Sequence, residues 1–172
     1  EGGHVSLAAG NAREAAIIAV LAARFGHVSA ERALSGPGIA ALHDAIRQLE
    51  GAPPCQLDSR EISARALAGS CPYCSEALDV FCALLGSVAA DLALTLGARG
   101  GVYVGGGIVP ALGAYFERSG FRARFEAKGR FSAYLAAIPT YVIRAPYAAL
   151  SGADEALDRA TPAPPMPPEA TQ

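Results

Sequence analysis

The segment that decides the fold reads Gly100-Gly-Val-Tyr-Val-Gly-Gly-Gly-Ile-Val-Pro110. Its centre, residues 102–104, has the β-branched and aromatic composition of a strand and predicts a short buried one. Gly105, Gly106 and Gly107, which we call the glycine crest, have no Cβ atoms that would keep a ligand away from the backbone. Pro110 is placed to start a helix that continues to Phe116. This order predicts an α/β fold with a ligand site beyond the carboxyl end of the strand.

The glycine crest alone does not identify a nucleotide site, because glycine clusters after strands also form tight turns. Its spacing differs from the Gly-x-Gly-x-x-Gly order of a Rossmann crossover, and no Gly-Lys-Ser or Gly-Lys-Thr follows it as in a P-loop. A tight turn and a nucleotide-binding segment are therefore both compatible with these residues.

Composition restricts the class of protein and of ligand. The chain has 172 residues, 52% hydrophobic and 17% charged, which suffices for one domain with a buried core. A net charge of −2 gives no electrostatic reason to expect binding to nucleic acid or to an anionic membrane. The longest apolar run, residues 15–23, is too short to span a bilayer and predicts a core helix. Small molecules are therefore the expected ligands.

The cysteines favour a reducing, cytoplasmic location. Cys55, Cys71, Cys74 and Cys82 follow no disulfide framework, and no secretory signal precedes the first helix. Cys71-Pro-Tyr-Cys74 has the spacing of a metal or redox motif. Zinc, however, would need a second pair of ligands at comparable spacing, and a thioredoxin-like site would need a preceding strand. The sequence therefore predicts structural cysteines and no metal site.

Helix signals occur along most of the chain. Asn11 with Glu14, and Asp58 with Glu61, have the spacing of capping boxes. The other expected elements are a strand near Val5, a helix ending at Gly26, a short helix capped by Ser29, a turn at Ser35-Gly-Pro-Gly38, a helix from Ile39 to Leu49, a long helix from Pro72 to Gly97, a strand at Thr140–Ile143 and a helix at Leu150–Ala160. The basic segment 122–130 predicts solvated surface with buried phenylalanines rather than an anion-binding patch. Residues 161–172 are proline-rich and predict a disordered tail after a domain at 1–160.

Polar residues near the start of the chain are candidates for ligand binding. Glu1 and His4 have only glycines between them, which allows both side chains to face one small site. A carboxylate and an imidazole offer the acceptors and the donor that a polyhydroxylated ligand needs. The same two residues could instead satisfy each other at a surface turn, and Glu31 could be a structural acid at a helix start. The residues alone leave both interpretations open.

Six short motifs carry a resemblance to a known family. They are Glu1-Gly-Gly-His4, His27-Val-Ser-Ala-Glu31, Leu34-Ser-Gly-Pro-Gly38, Leu92-Ala-Leu-Thr-Leu-Gly97, Gly106-Gly-Ile-Val-Pro110 and Gly120-Phe-Arg-Ala-Arg-Phe125. In this order they resemble the bacterial-type glucokinases, the ATP-dependent hexose kinases of the actin-like superfamily. The match covers roughly Glu1 to Ile143.

The resemblance implies a fold, a reaction and a set of site residues. The fold is the helix-rich α/β large lobe of an actin-like ATPase (ribonuclease H-like), amino-terminally truncated. Glu1, His4 and Glu31 match residues that hydrogen-bond the hydroxyls of glucose. The glycine crest matches the family motif that lies against the adenosine part of ATP. Gly36 and Gly38 are candidates for the same, nucleotide-binding side of the cleft. The implied reaction uses ATP and Mg²⁺ to phosphorylate glucose to glucose 6-phosphate at the entry to glycolysis, and a homodimer is an expected assembly because dimers are common among relatives.

The sequence also departs from the family in ways that affect activity. Family members carry, ahead of the first motif, an Asp-x-Gly-Gly-Thr phosphate loop, an Asn-Asp pair whose aspartate is the general base, and a Gly-Thr-Gly-Leu-Gly turn. These 172 residues contain none of the three. We therefore expect a missing amino-terminal lobe, no catalytic residue in this chain and no kinase activity from the chain alone. The alternatives are a non-catalytic sugar- or nucleotide-binding degenerate paralogue and a structural remnant.

Overall fold

The computed structural model describes residues 2–160. Within them the chain forms ten α-helices and two β-strands: α1 Ala12–Phe25, α2 Ala30–Ala33, α3 Gly36–Leu49, α4 Ser59–Leu67, α5 Pro72–Leu96, β1 Val102–Val104, α6 Ile108–Leu112, α7 Ala114–Arg118, α8 Phe121–Glu126, α9 Ser132–Ala136, β2 Thr140–Val142 and α10 Ala148–Ala160. The chain divides into two compact units, unit 1 at Glu1–Val142 and unit 2 at Ile143–Gln172. Unit 1 contains every one of these elements except α10.

Side-chain caps explain where two helices of unit 1 begin. Asn11 Oδ1 accepts from the backbone N–H of Glu14 at 2.8 Å, and Asp58 Oδ1 accepts from that of Glu61 at 2.8 Å. Glu61 Oε2 in turn accepts from the N–H of Asp58 at 3.0 Å, which completes a capping box. Glu14 Oε2 accepts instead from the N–H of Gly10 at 2.7 Å, one residue ahead of the cap. Both predicted N-caps are present, but the capping box predicted at Asn11 is only half formed, because Glu14 bonds Gly10 instead of the cap residue.

Helix α5 is central to unit 1 and packs against α3, α4 and α8. It starts at Pro72 and ends at Gly97 with a left-handed cap, as the sequence predicts. By length and composition alone α5 could cross a bilayer, but 61% of its most apolar window is buried inside the protein. A position in the middle of the core therefore accounts for its long apolar sequence.

The sheet is small and more exposed than expected. β1 and β2 run parallel, with Val102 opposite Thr140 and Tyr103 opposite Tyr141. The prediction of a buried strand is wrong at its middle residue, since Tyr103 is 63% exposed and its ring stacks on that of Tyr141 at 5.0 Å. Val102 and Val104 pack against the core. Among the described residues the sheet has two strands. The stacked rings of Tyr103 and Tyr141 form a cross-strand pair on its exposed face.

The helix expected to start at Pro110 has different bounds. It begins at Ile108 and stops at Gly113, where φ is 52° and ψ is −128°. This conformation interrupts the helical hydrogen bonds, and it is accessible because glycine has no Cβ. A separate helix, α7, then carries Tyr115 and Phe116. The prediction of one continuous helix is therefore wrong.

Two further predictions near the start of the chain are wrong. Residues 35–38, expected as a turn, form the first turn of α3 because Ser35 Oγ accepts from the N–H of Gly38 at 3.1 Å. The strand expected near Val5 is reduced to one antiparallel bridge between Ser6 and Ser29.

One arginine of the basic segment is largely buried rather than fully solvated. Arg124 Nη1 lies 3.0 Å from Glu14 Oε2, and Nη2 bonds the other carboxylate oxygen. The two side chains are 16% and 3% exposed, respectively, and we call them the buried ion pair. Arg124 Nη1 also donates to Ser87 Oγ at 3.2 Å, so the pair joins α1, α5 and α8. The expected surface position is wrong for Arg124, whereas Phe121 and Phe125 are buried as predicted.

Unit 2 is described from Ile143 to Ala160. Helix α10 begins two residues before the predicted Leu150 and ends at the predicted Ala160. Glu155 and Arg159 form an i, i+4 pair at 2.9 Å on its surface. The predicted proline-rich tail, residues 161–172, lies outside the described residues.

Candidate functional site

Backbone pairing brings the start of the chain next to α2. The N–H of Ala30 donates to the carbonyl of Val5 at 3.0 Å, and the N–H of Leu7 donates to that of Val28 at 2.9 Å. These bonds fix a 3₁₀ turn at Gly2–His4 beside the first turn of α2. Two segments that are distant in sequence are thereby held together by main-chain atoms, which leaves their side chains free to project.

His4 and Glu31 are the side chains that this pairing brings together. His4 Nδ1 lies 3.6 Å from Glu31 Oε2, and the side chains are 66% and 61% exposed. The distance is longer than a hydrogen bond, so both groups keep capacity for a third partner. The structure therefore unites two of the three residues predicted to bind sugar. Glu1, the third, lies outside the described residues.

A cavity of about 460 Å³ opens beside this pair, and we call it the His4 cavity. Its lining residues are His4, Arg24, Phe25, Ser29, Glu31, Arg32, Ser35, Pro37, Ala40, Ala41 and Asp44. The two carboxylates of the lining, Glu31 and Asp44, balance the two guanidinium groups of Arg24 and Arg32. Such a lining is better suited to a neutral ligand with many hydrogen-bond donors and acceptors than to a ligand with several charges of one sign.

Sequence reasoning missed the charged residues on the far side of the His4 cavity. Arg24 lies 3.5 Å from Asp44, and the guanidinium groups of Arg24 and Arg32 lie 4.9 and 4.5 Å from the centre of the Phe25 ring. The ion pair and the two cation–π contacts hold this part of the cavity lining in place. They join residues of α1, α2 and α3. Because the residues come from three separate helices, their spacing along the chain does not predict these contacts.

The glycine crest is open to ligands. Gly105, Gly106 and Gly107 are exposed, and a Cβ built at Gly106 or Gly107 would meet nothing within 4 Å. Gly106 has a φ of 99°, which side-chain-bearing residues rarely adopt, so the turn itself needs glycine there. Main-chain atoms after β1 are therefore accessible in the way that the sequence predicts.

A second cavity, of about 610 Å³, lies beside Gly107. It is lined by Ile39, Ser59, Arg60, Ser63, Ala64, Leu67, Gly107, Ile108, Ala111 and Leu112. Apolar side chains form most of its surface, and the hydroxyl groups and Arg60 add polar partners. We call it the Gly107 cavity. It and the His4 cavity both border α3.

Gly36 and Gly38 differ in their surroundings. A Cβ at Gly36 would lie 3.3 Å from Ser59 Oγ, at the edge of the Gly107 cavity. A Cβ at Gly38 would lie 2.3 Å from the carbonyl oxygen of Ala33, inside the contact between α2 and α3. The buried Gly38 is thus required by packing, whatever its relation to a ligand.

Comparison with known proteins identifies the family. A profile of the glucokinase family matches residues 1–160. The chain belongs to the glucokinase family. A glucokinase of Aromatoleum aromaticum is 74% identical over 160 residues, which cover 93% of this chain and 48% of that relative. The chain spans about half the length of the curated relatives it matches.

Solved glucokinase structures share the fold of this glucokinase-family chain. A glucokinase from an Antarctic psychrotroph superimposes with a TM-score of 0.86 at 40% identity, over 92% of this chain and 49% of that protein. A glucokinase of Balamuthia mandrillaris in complex with glucose gives a TM-score of 0.74 at 20% identity, over 85% and 43%, and supports the fold alone. The predicted actin-like ATPase fold is confirmed.

Proposed function

We propose that the protein carrying this chain is a glucokinase that transfers the γ-phosphoryl group of ATP to the 6-hydroxyl of glucose. The observation that carries the proposal is the 3.6 Å approach of His4 to Glu31 at a cavity of balanced charge, in a chain of the glucokinase family. A cytoplasmic enzyme at the entry to glycolysis would meet both substrates in solution.

His4 and Glu31 supply hydrogen-bonding groups for the sugar. The Glu31 carboxylate accepts from sugar hydroxyls, and the His4 imidazole donates or accepts according to its tautomer. Both side chains are more than half exposed, so a bound sugar would replace water rather than break protein contacts. Glu1 remains a predicted third partner from the family resemblance.

The Gly107 cavity and the glycine crest supply the nucleotide wall. Its apolar surface suits a base or ribose, and Arg60 and the hydroxyl of Ser59 suit phosphate oxygens. The lining contains no carboxylate, so these residues do not fit Mg²⁺ as a protein-bound ion. Any Mg²⁺ needed for the reaction would be held by the phosphates of ATP rather than by these residues.

The chemistry forms one bond and breaks one. The 6-oxygen of glucose bonds to the γ-phosphorus, the bond to the β,γ-bridging oxygen breaks, and the hydroxyl proton passes to a general base. The aspartate that the resemblance implies as this base has no counterpart in these 172 residues. The described residues would therefore contribute binding and orientation.

The decisive test is a kinase assay on the full-length protein with glucose and Mg-ATP, in which glucose 6-phosphate formation is measured. We expect ADP and glucose 6-phosphate to appear in equal amounts. Heat of glucose binding without turnover would support the non-catalytic binder instead. Preference for a different hexose or absence of both signals would contradict the proposal.

Substitution of Glu31 tests whether this residue binds the sugar. Glu31→Gln should raise the KM for glucose about 5- to 150-fold, because a lost hydrogen bond to a buried polar group costs about 1–3 kcal/mol. The matched control is Asp91→Asn, which removes a half-exposed carboxylate paired with Lys128 at 2.6 Å away from both cavities. Equal KM values for the two variants would remove Glu31 from the site.

A further inference from the structure

A second cluster of reactive side chains lies outside both cavities, where α3 meets the start of α5. One ring nitrogen of His43 and the sulfur atoms of Cys71 and Cys74 all lie within 4.8 Å of one another. His43 and Cys74 are fully buried, and Cys71 is partly exposed. The Cys-x-x-Cys spacing places both thiols at the first turn of α5, and α3 brings the imidazole to them.

The imidazole of His43 is buried with its hydrogen-bonding capacity unsatisfied by the described part of the chain. Neither ring nitrogen has a hydrogen-bond partner among the described residues, although the side chain is 0% exposed. Nδ1 lies 3.7 Å from Asp44 Oδ1, which is too far for a hydrogen bond. Buried polar atoms are normally satisfied by protein, water or an ion.

We propose that His43, Cys71 and Cys74 bind one Zn²⁺ ion. Zinc prefers tetrahedral sites of imidazole nitrogen and thiolate sulfur, and three protein ligands leave one corner for a water molecule on the exposed side of Cys71. Binding releases the two thiol protons, and Zn²⁺ with two thiolates and a neutral imidazole carries no net charge. A neutral complex suits a buried position.

The spacing of the cysteines does not indicate this metal site, because helix packing rather than spacing along the chain brings His43 of α3 to the cysteines of α5. The ion would link these two helices. Asp44, next to His43 in α3, lines the His4 cavity, so the link would also fix one wall of that cavity. This link between α3 and α5 does not depend on the proposed kinase activity.

The test measures zinc binding by the full-length protein, reduced and stripped with chelator, in competition with a chromogenic chelator. Co²⁺ substitution adds a spectrum that shows sulfur charge-transfer bands and tetrahedral geometry. Cys71→Ser is the main variant, because serine at this helix N-cap, where Cys71 makes no capping bond, should preserve folding. Cys82→Ala, at another fully buried cysteine of α5, is the matched control.

We expect one equivalent of zinc in the wild type and in Cys82→Ala, and a rise in Tm with zinc for both. Cys71→Ser and His43→Asn should weaken zinc binding by more than the roughly 10- to 100-fold that loss of an outer-shell partner costs. Wild-type protein that takes up no zinc at micromolar concentration would overturn the proposal. So would a cobalt spectrum without sulfur bands, or a Cys71–Cys74 disulfide that persists in reductant.

Discussion

Among the described residues of unit 1, two pairs that each join a carboxylate to a basic side chain differ strongly in burial. In the buried ion pair, Glu14 and Arg124 are 3% and 16% exposed and bond each other through two atoms each. His4 and Glu31 are 66% and 61% exposed and lie 3.6 Å apart. The first pair has its hydrogen-bonding capacity filled by protein, whereas the second keeps capacity for a ligand. Burial therefore separates the framework from the candidate site, although both pairs have similar chemistry.

The largest expected effect comes from breaking the buried ion pair. Arg124→Met should lower the free energy of unfolding by about 3–5 kcal/mol, because it leaves the Glu14 carboxylate buried without its partner. Urea unfolding of the full-length protein measures this. Arg130→Met, at an exposed arginine of the same basic segment that stacks on Phe131, should cost less than about 1 kcal/mol.

A double variant sharpens this result. If Glu14 and Arg124 act as a unit, Glu14→Leu with Arg124→Met should cost less than the sum of the two single changes, since no unpaired charge remains. Additive losses of unfolding free energy would show that Glu14 and Arg124 stabilise the fold independently. The contrast with the exposed pair would then be weaker.

Two glycines of α3 give an intermediate effect. Gly38→Ala should cost about 1–3 kcal/mol of unfolding free energy, since its Cβ would lie 2.3 Å from the Ala33 carbonyl oxygen and the backbone must shift. Gly36→Ala should cost less than about 1 kcal/mol, because its Cβ meets only the movable hydroxyl of Ser59 at 3.3 Å. Thermal or urea unfolding of both variants measures the difference. A loss below about 1 kcal/mol for Gly38→Ala as well would show that the packing between α2 and α3 does not require glycine at this position.

Local signals predict several of the helix ends and the accessible backbone of the glycine crest. Asn11 and Asp58 cap their helices within three residues of their own position, and Gly97 ends α5 where the apolar stripe stops. Such contacts are encoded by spacing, so a sequence displays them. The approach of His4 to Glu31 was expected only through the family motifs.

The contacts that were missed depend on packing between distant elements. Asp44 reaches Arg24 only because α3 lies against α1, and His43 reaches Cys71 only because α3 lies against α5. The basic composition of residues 122–130 predicts a surface position for Arg124, yet its carboxylate partner, Glu14, comes from α1. Tertiary packing decided these positions, and no period along the chain reports it.

The smallest stability effect is expected at the exposed pair. Glu31→Gln should change the free energy of unfolding by less than about 1 kcal/mol, because solvent already screens both groups. The same variant is expected to weaken glucose binding, so stability and KM should respond independently. If urea unfolding showed a loss above about 2 kcal/mol, the His4–Glu31 approach would belong to the framework that holds α2 to the start of the chain. The two side chains would then stabilise the folded protein through their mutual contact, and their proximity would no longer favour a sugar-binding role.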